Sequence, residues 1–184
     1  MAYFPMFVDV SDKKILVVGG GKVAARRIKT LRLFTDEVTV LSPRLCQELE
    51  PLPEGVNWIA REYGAERLSL AGEAALPESN AEMGEVAVLP ESNAVVQDDA
   101  ELMEVDVALA GKDFVLAATN RREVNKKIFE DCRLLEAHEG RKILVNCADD
   151  KSHCDFFFPA VVQSDEITVG INSGGRNKKK VREI

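Results

Sequence analysis

The sequence predicts an α/β fold: a parallel sheet flanked by helices, then a small β-hairpin and a short C-terminal helix. Three observations carry that expectation. Short β-branched runs alternate with stretches of helical spacing through residues 13–147. The first such run stops at three consecutive glycines and passes directly into a helix. After residue 155 the alternation ends, and two apolar runs enclose a polar turn.

Residues 13–18 (KKILVV) read as the first strand, and Val23, Ala24, Ile28 and Leu31 then recur at helical spacing. Residues 37–41 (EVTVL) form a second strand that ends at Ser42-Pro43, because proline has no N–H for a ladder. Together they make a βαβ unit, whose crossover is expected to be right-handed. Residues 56–60 read as a third strand and 113–118 as a fourth, which runs through Thr119-Asn120 into a helix over about 121–139. Residues 143–147 are a fifth. The runs 156–162 and 167–171 flank residues 163–166 as an antiparallel hairpin, and Ser173-Gly174-Gly175 closes it and opens the last helix.

The chain therefore divides into a nucleotide-binding-type α/β unit over 1–141 and a closing segment over 142–184. Within the first unit, Leu76 to Ala81 (LPESNA) recurs letter for letter as Leu89 to Ala94. Two copies are too few to bury a shared solenoid core. The polar, proline-bearing duplication reads as an inserted surface loop over 71–104, with a lid or partner loop as the alternative.

At 184 residues and 46% hydrophobic, the chain suffices for one domain with a small appendage. The first residues lack the basic flank of a signal peptide, and no apolar run approaches the roughly 18 residues that span a bilayer, so a cytoplasmic location without membrane contact is expected. A net charge of −7 argues against nucleic acid as a partner. The basic run from Arg176 to Arg182 is a local exception, read as a solvated helix or an attraction for carboxylates. Cys46, Cys132, Cys147 and Cys154 include no CxxC pair, which fits free thiols rather than a disulfide or zinc framework.

Gly19-x-Gly21-x-x-Ala24 has the spacing of a dinucleotide fingerprint, and it sits where that motif requires, between a strand and a helix. Backbone N–H groups and the positive helix end would hold a pyrophosphate there, with Lys22 and Val23 inside the turn. The expected fold is thus Rossmann-like and the expected cofactor a nicotinamide dinucleotide. The acidic residue that usually meets the adenosine ribose is replaced by Leu41-Ser42-Pro43-Arg44. Ser42 could bond a ribose hydroxyl and Arg44 a 2′-phosphate, so the residues alone leave NAD and NADP open. Thr119 and Asn120 end the fourth strand and face the same crevice.

Asn146-Cys147-Ala148-Asp149-Asp150 ends the fifth strand, at the edge where open α/β sheets carry reacting groups. Asp149 is a candidate proton acceptor, although an aspartate there also serves as a cap or turn residue, and Asp150 competes for the role. His153 and Cys154 follow, but their spacing matches no closed zinc pattern, and no resident metal is expected. Ser173, Gly174 and Gly175 could hold a carboxylate on their amides or form a plain turn.

Several blocks in order carry a resemblance: Tyr3-Phe4-Pro5-Met6-Phe7, the run from Val17 to Arg27, Ala117-Ala118-Thr119-Asn120, Val145 to Asp149, Phe157-Phe158-Pro159-Ala160 and Ser173-Gly174-Gly175. In that order the chain resembles the precorrin-2 dehydrogenase family, the N-terminal part of siroheme synthase. The resemblance implies NAD-dependent oxidation of the tetrapyrrole precorrin-2 to sirohydrochlorin, with insertion of ferrous iron in some members, and a homodimer formed through the segment after the nucleotide-binding unit. It implies that Asp149 is the general base, and that Asn146, Ser173, Gly174 and Gly175 lie at the substrate. It assigns Arg176, Lys178, Lys179, Lys180 and Arg182 to the substrate's carboxylates. The family continues past Ser-Gly-Gly into a helical region, so the chain is expected to be a shortened form or to be completed by a partner.

Two readings from other classes compete. One is a regulatory module that senses NAD without chemistry; the Phe-Pro and Ser-Gly-Gly blocks count against it. The other is a chelatase that keeps the nucleotide-binding unit as scaffold.

Overall fold

The computed structural model describes residues 4–70 and 103–174. Both LPESNA copies, Gly175, the basic run and the expected C-terminal helix lie outside the described residues.

Five strands form a fully parallel sheet: β1 (Ile15–Val18), β2 (Val38–Leu41), β3 (Val56–Ile59), β6 (Phe114–Ala117) and β7 (Leu144–Cys147), in the order β3-β2-β1-β6-β7. The strand order reverses beside β1, which pairs Val18 with Leu41 on one side and with Ala117 on the other. A crevice opens at such a switch point because the connections leave in opposite directions. All five expected strands are present, each a residue or two shorter than its apolar run.

Parallel sheets are covered on both faces, and the four residues of β1 are all buried. Leu16 and Val18 face one way, into a core with Val115, Val145 and the Ile128, Cys132 and Leu135 stripe of α2 (Arg122–Glu139). Ile15 and Val17 face the other way, toward Ala24, Ala25 and Ile28 of α1 (Lys22–Leu31). The two-residue period of the strand and the three-to-four-residue period of the helices thus meet in two separate layers. Gly140 ends α2 with φ 66°, and its N–H bonds Glu136 O at 2.9 Å.

One element escaped sequence reasoning. β4 (Arg67–Leu70) and β5 (Met103–Asp106) pair antiparallel, with Leu70 opposite Met103. The chain therefore leaves and returns across a single rung, the arrangement that tolerates an insertion between neighbouring points. It also trims the expected insertion, because residues 103 and 104 belong to β5. β4 is too polar and exposed to announce itself, and its partner lies beyond the intervening segment.

Asp106 fixes this ribbon to the domain. Its carboxylate, 1% exposed, accepts from both terminal nitrogens of Arg61, from Gly64 N at 2.5 Å and from Ala108 N at 2.9 Å.

The closing hairpin, β8 (Ala160–Ser164) and β9 (Ile167–Ile171), is antiparallel as expected. Its first strand starts four residues later than the apolar run. Phe156 to Pro159 are irregular anchors instead: Phe156 meets Phe114 edge-on with centroids 5.7 Å apart, and Phe158 packs on the α1-side core. The large apolar residues that the hairpin leaves exposed are Val162, Ile167 and Val169. Opposite residues of an antiparallel pair share a face, so these three lie with Ala160 and Ile171 on one side of the ribbon.

Candidate functional site

The glycine turn is held from two directions. Gly19 has φ +118°, and a Cβ there would stand 2.5 Å from Ala118 O. A Cβ on Gly20 would stand 2.0 Å from Arg44 O and 2.8 Å from Ser42 Oγ. Gly21, by contrast, has nothing within 4 Å of that position. The first two glycines thus serve the protein's own packing, and the third leaves open space beside the first turn of α1. That space suits close approach of a ligand to the backbone, the role assigned to a fingerprint glycine. Gly20 was missed as a site residue because a spacing motif does not report what the neighbouring loop does.

That loop, residues 42–46, is stitched to the turn. Cys46 N donates to Gly20 O at 2.7 Å, Ser42 Oγ donates to Arg44 O at 2.7 Å, and Trp58 Nε1 donates to Ser42 O at 2.8 Å. Ser42 is buried and its proton is committed, so toward a ribose it offers acceptor capacity alone. Arg44 is exposed and lines the cleft.

The cleft holds about 650 Å³ and is lined by Gly19 to Val23, Ser42 to Cys46, Tyr63 and Thr119 to Arg121. Every residue expected to contact a dinucleotide lines it except Ala24, which is fully buried where α1 meets the sheet. This is the place of the small third residue in the fingerprint. Lys22 extends from the helix start with its Nζ 3.9 Å from Glu48.

A second pocket of about 360 Å³ adjoins the carboxyl end of β7, lined by Arg122, Asn125, Lys126, Cys147, Asp149, Asp150 and His153 among others. Asp150 is committed to its own turn. Its Oδ1 accepts from Ser152 N and Oγ at 2.9 and 2.6 Å, and its Oδ2 lies 3.0 Å from Arg122 and 3.2 Å from His153. The Ser152 bonds first, then Arg122, hold its carboxyl well below the usual carboxylate range. Asp149 is exposed to the pocket and accepts from Asn125 Nδ2 at 2.8 Å. Of the two aspartates, geometry leaves Asp149 available for chemistry.

Asn125 joins the two cavities. Its Oδ1 accepts from Thr119 N at 3.1 Å and Thr119 Oγ1 at 2.7 Å, while its Nδ2 donates to Thr119 O at 3.2 Å as well as to Asp149. Nothing in the sequence marks it, since an asparagine in the first turns of a helix is unremarked by period or motif.

Of the residues expected at the substrate, Asn146 is 3% exposed within β7, donating to Phe156 O at 2.7 Å, and its Oδ1 has no hydrogen-bond partner. Gly174 is joined to the segment after Asp149 by Lys151, whose Nζ donates to Gly174 O at 2.5 Å, and Ser173 precedes it on the chain. Burial, followed by the neighbouring Cys154 and Asp149, pushes the Cys147 thiol up to about 12. Among the described residues no group of three or more His, Cys, Asp or Glu is placed to hold a metal ion, and no helix is long and apolar enough to cross a membrane. All four cysteines are free.

A family model described as "Putative NAD(P)-binding" matches residues 6–160. The chain is 29% identical over 184 residues to siroheme synthase of Blochmanniella pennsylvanica, covering 99% of this chain and 28% of that protein. It is 30% identical over 178 residues to siroheme synthase 1 of Yersinia enterocolitica, covering 96% and 28% respectively. The chain thus spans little more than a quarter of these relatives' length. Among solved structures it is similar to SirC, precorrin-2 dehydrogenase, with a TM-score of 0.57 at 19% identity, over 98% of this chain and 67% of that one. That likeness bears on the fold, which is Rossmann-like.

Proposed function

The chain belongs to the NAD(P)-binding family whose model spans residues 6–160, and on that premise we propose that it oxidises precorrin-2 to sirohydrochlorin with NAD as hydride acceptor. The observation that carries the reading is the placement of Asp149: an exposed carboxylate at the end of β7, joined through Asn125 to the Thr119 loop of the nucleotide cleft. The siroheme synthase relatives and the block-by-block resemblance supply the substrate class.

NAD fits the cleft described. The open space at Gly21 admits a pyrophosphate to the backbone, Thr119 and Asn120 line the same cleft, and Ser42 can accept from a ribose hydroxyl. When bound there, NAD supplies the hydride acceptor. The reaction removes two hydrogens from the macrocycle, one leaving as hydride and the other as a proton. Asp149 takes that proton, and solvent at the open pocket receives it in turn. Arg122 and Lys126 line the same pocket, paired with Asp150 at 3.0 Å and Glu130 at 3.2 Å respectively.

A homodimer belongs to this reading. A two-stranded ribbon is marginal by itself, and one face of β8-β9 leaves Val162 at 46%, Val169 at 43% and Ile167 at 67% exposed; a second copy is the cover proposed. Insertion of ferrous iron as a substrate is a second reaction that the resemblance suggests, in which the exposed Asp149 carboxylate would accept the pyrrole protons. The proposed location is the cytoplasm.

The test is an anaerobic assay with precorrin-2 generated in place, following NADH and sirohydrochlorin absorbance with NAD or NADP. Simultaneous appearance of both products with NAD supports the reading. NAD binding without turnover would replace it with a nucleotide sensor. Cobalt insertion into sirohydrochlorin without NAD tests the chelatase activity.

A further inference from the structure

We infer that Asn125 is the positioning residue for Asp149, fixing one carboxylate oxygen against the nucleotide-side loop so that the other faces the pocket. The inference rests on the dehydrogenase reading given above. Three observations support it.

Asn125 is 1% exposed, and its amide is fully used: the oxygen accepts twice from Thr119, and the NH₂ donates once to Thr119 O and once to Asp149 Oδ1. Two donors on one side leave the amide a single orientation, because a flip would turn the NH₂ against the Thr119 N–H. Its second N–H therefore points at Asp149 without a rotamer to choose.

The contact is also asymmetric. Thr119 keeps a local turn of its own, since Arg121 N donates to Thr119 Oγ1 at 3.2 Å, so the nucleotide-side loop does not depend on Asn125 alone. Asp149, at the exposed end of its strand, has no comparable turn of its own; the capping role is taken by Asp150. Loss of Asn125 would therefore free the carboxylate more than the loop. Small misplacement of a reacting group costs about 100-fold in rate.

The experiment compares wild type, Asp149→Asn, Asn125→Ala, Asn125→Asp and the double variant Asn125→Ala/Asp149→Asn for NAD affinity by calorimetry and for kcat with precorrin-2. In Asn125→Asp one oxygen can still accept from Thr119 while the other repels Asp149. The expected result is a kcat roughly 10- to 100-fold lower in both Asn125 variants, NAD affinity within about 3-fold of wild type, and no further loss from Asn125→Ala once Asp149 is asparagine. Melting temperatures identify any variant that fails to fold, in which case the folded one of the pair decides. Wild-type turnover retained in Asn125→Asp, or equal losses from Asn125→Ala with and without Asp149, would overturn the inference. Wild-type protein without turnover, or Asp149→Asn with full turnover, would instead remove the functional reading on which it rests.

Discussion

Arg61 and Asp106 meet fork to fork, Nη1 to Oδ2 at 2.8 Å and Nη2 to Oδ1 at 2.7 Å, across 45 residues of sequence. The pair ties the segment after β3 to the end of β5, and so holds the ribbon from which residues 71–102 depart and to which they return. Both partners are largely buried, which makes the pair costly to break one-sidedly.

Asp106→Ala should therefore cost on the order of 3–5 kcal/mol, leaving a buried guanidinium and the Gly64 and Ala108 N–H groups unmet. The loss should depend on pH. Burial by itself would raise the Asp106 pKa, but the Arg61 fork and the backbone donors outweigh it and hold it lowered. A lowered folded value means the contribution is present above the unfolded value, about 3.9, and disappears as pH falls through the folded one. Urea melts at pH 7 and pH 3 would show the gap between wild type and variant narrowing in acid. A gap that stays constant would mean that the charge is not what stabilises the ribbon.

Gly20→Ala and Gly21→Ala should separate packing from ligand binding. The first places a methyl 2.0 Å from a backbone oxygen and should lower the melting temperature as well as NAD affinity. The second enters open space and should leave melting unchanged while weakening NAD at least about 10-fold, by standing where the backbone would meet the pyrophosphate. Thermal shift with and without NAD reads both at once.

The thiols should divide by burial. Cys132 is fully buried, its pKa raised first by that burial, and Cys147 stands near 12 for the same leading reason. At pH 8 both should resist iodoacetamide in the native protein and react in urea, while Cys46 and Cys154, half-buried, react faster. Mass spectrometry after timed quenching checks the order.

Ile167→Asp and Val169→Asp should produce a monomer without unfolding the nucleotide-binding unit, since both residues face outward from the β8-β9 ribbon. Light scattering coupled to size exclusion reads the mass. A wild-type protein that elutes as a monomer at micromolar concentration would remove the dimer from the functional reading.

By itself the sequence determined the five parallel strands, the two helices, the hairpin and the glycine turn that opens α1. Those features follow from short-range rules: strand residues alternate every second position, helix residues recur every third or fourth, and glycine marks backbone that a Cβ would obstruct. It also placed Asp149 at the right edge of the sheet, because the end of a parallel strand is legible from where its apolar run stops. Only the tertiary structure decided which neighbours converge there. Asn125 reaches Asp149 from 24 residues away, Gly20 is fixed by Arg44 O, and the proton of Ser42 is committed within its own loop. The β4-β5 ribbon and its Asp106 anchor were hidden for the same reason. Hydrogen bonds between distant residues leave no period in the chain that carries them; they exist once the sheet has set its register.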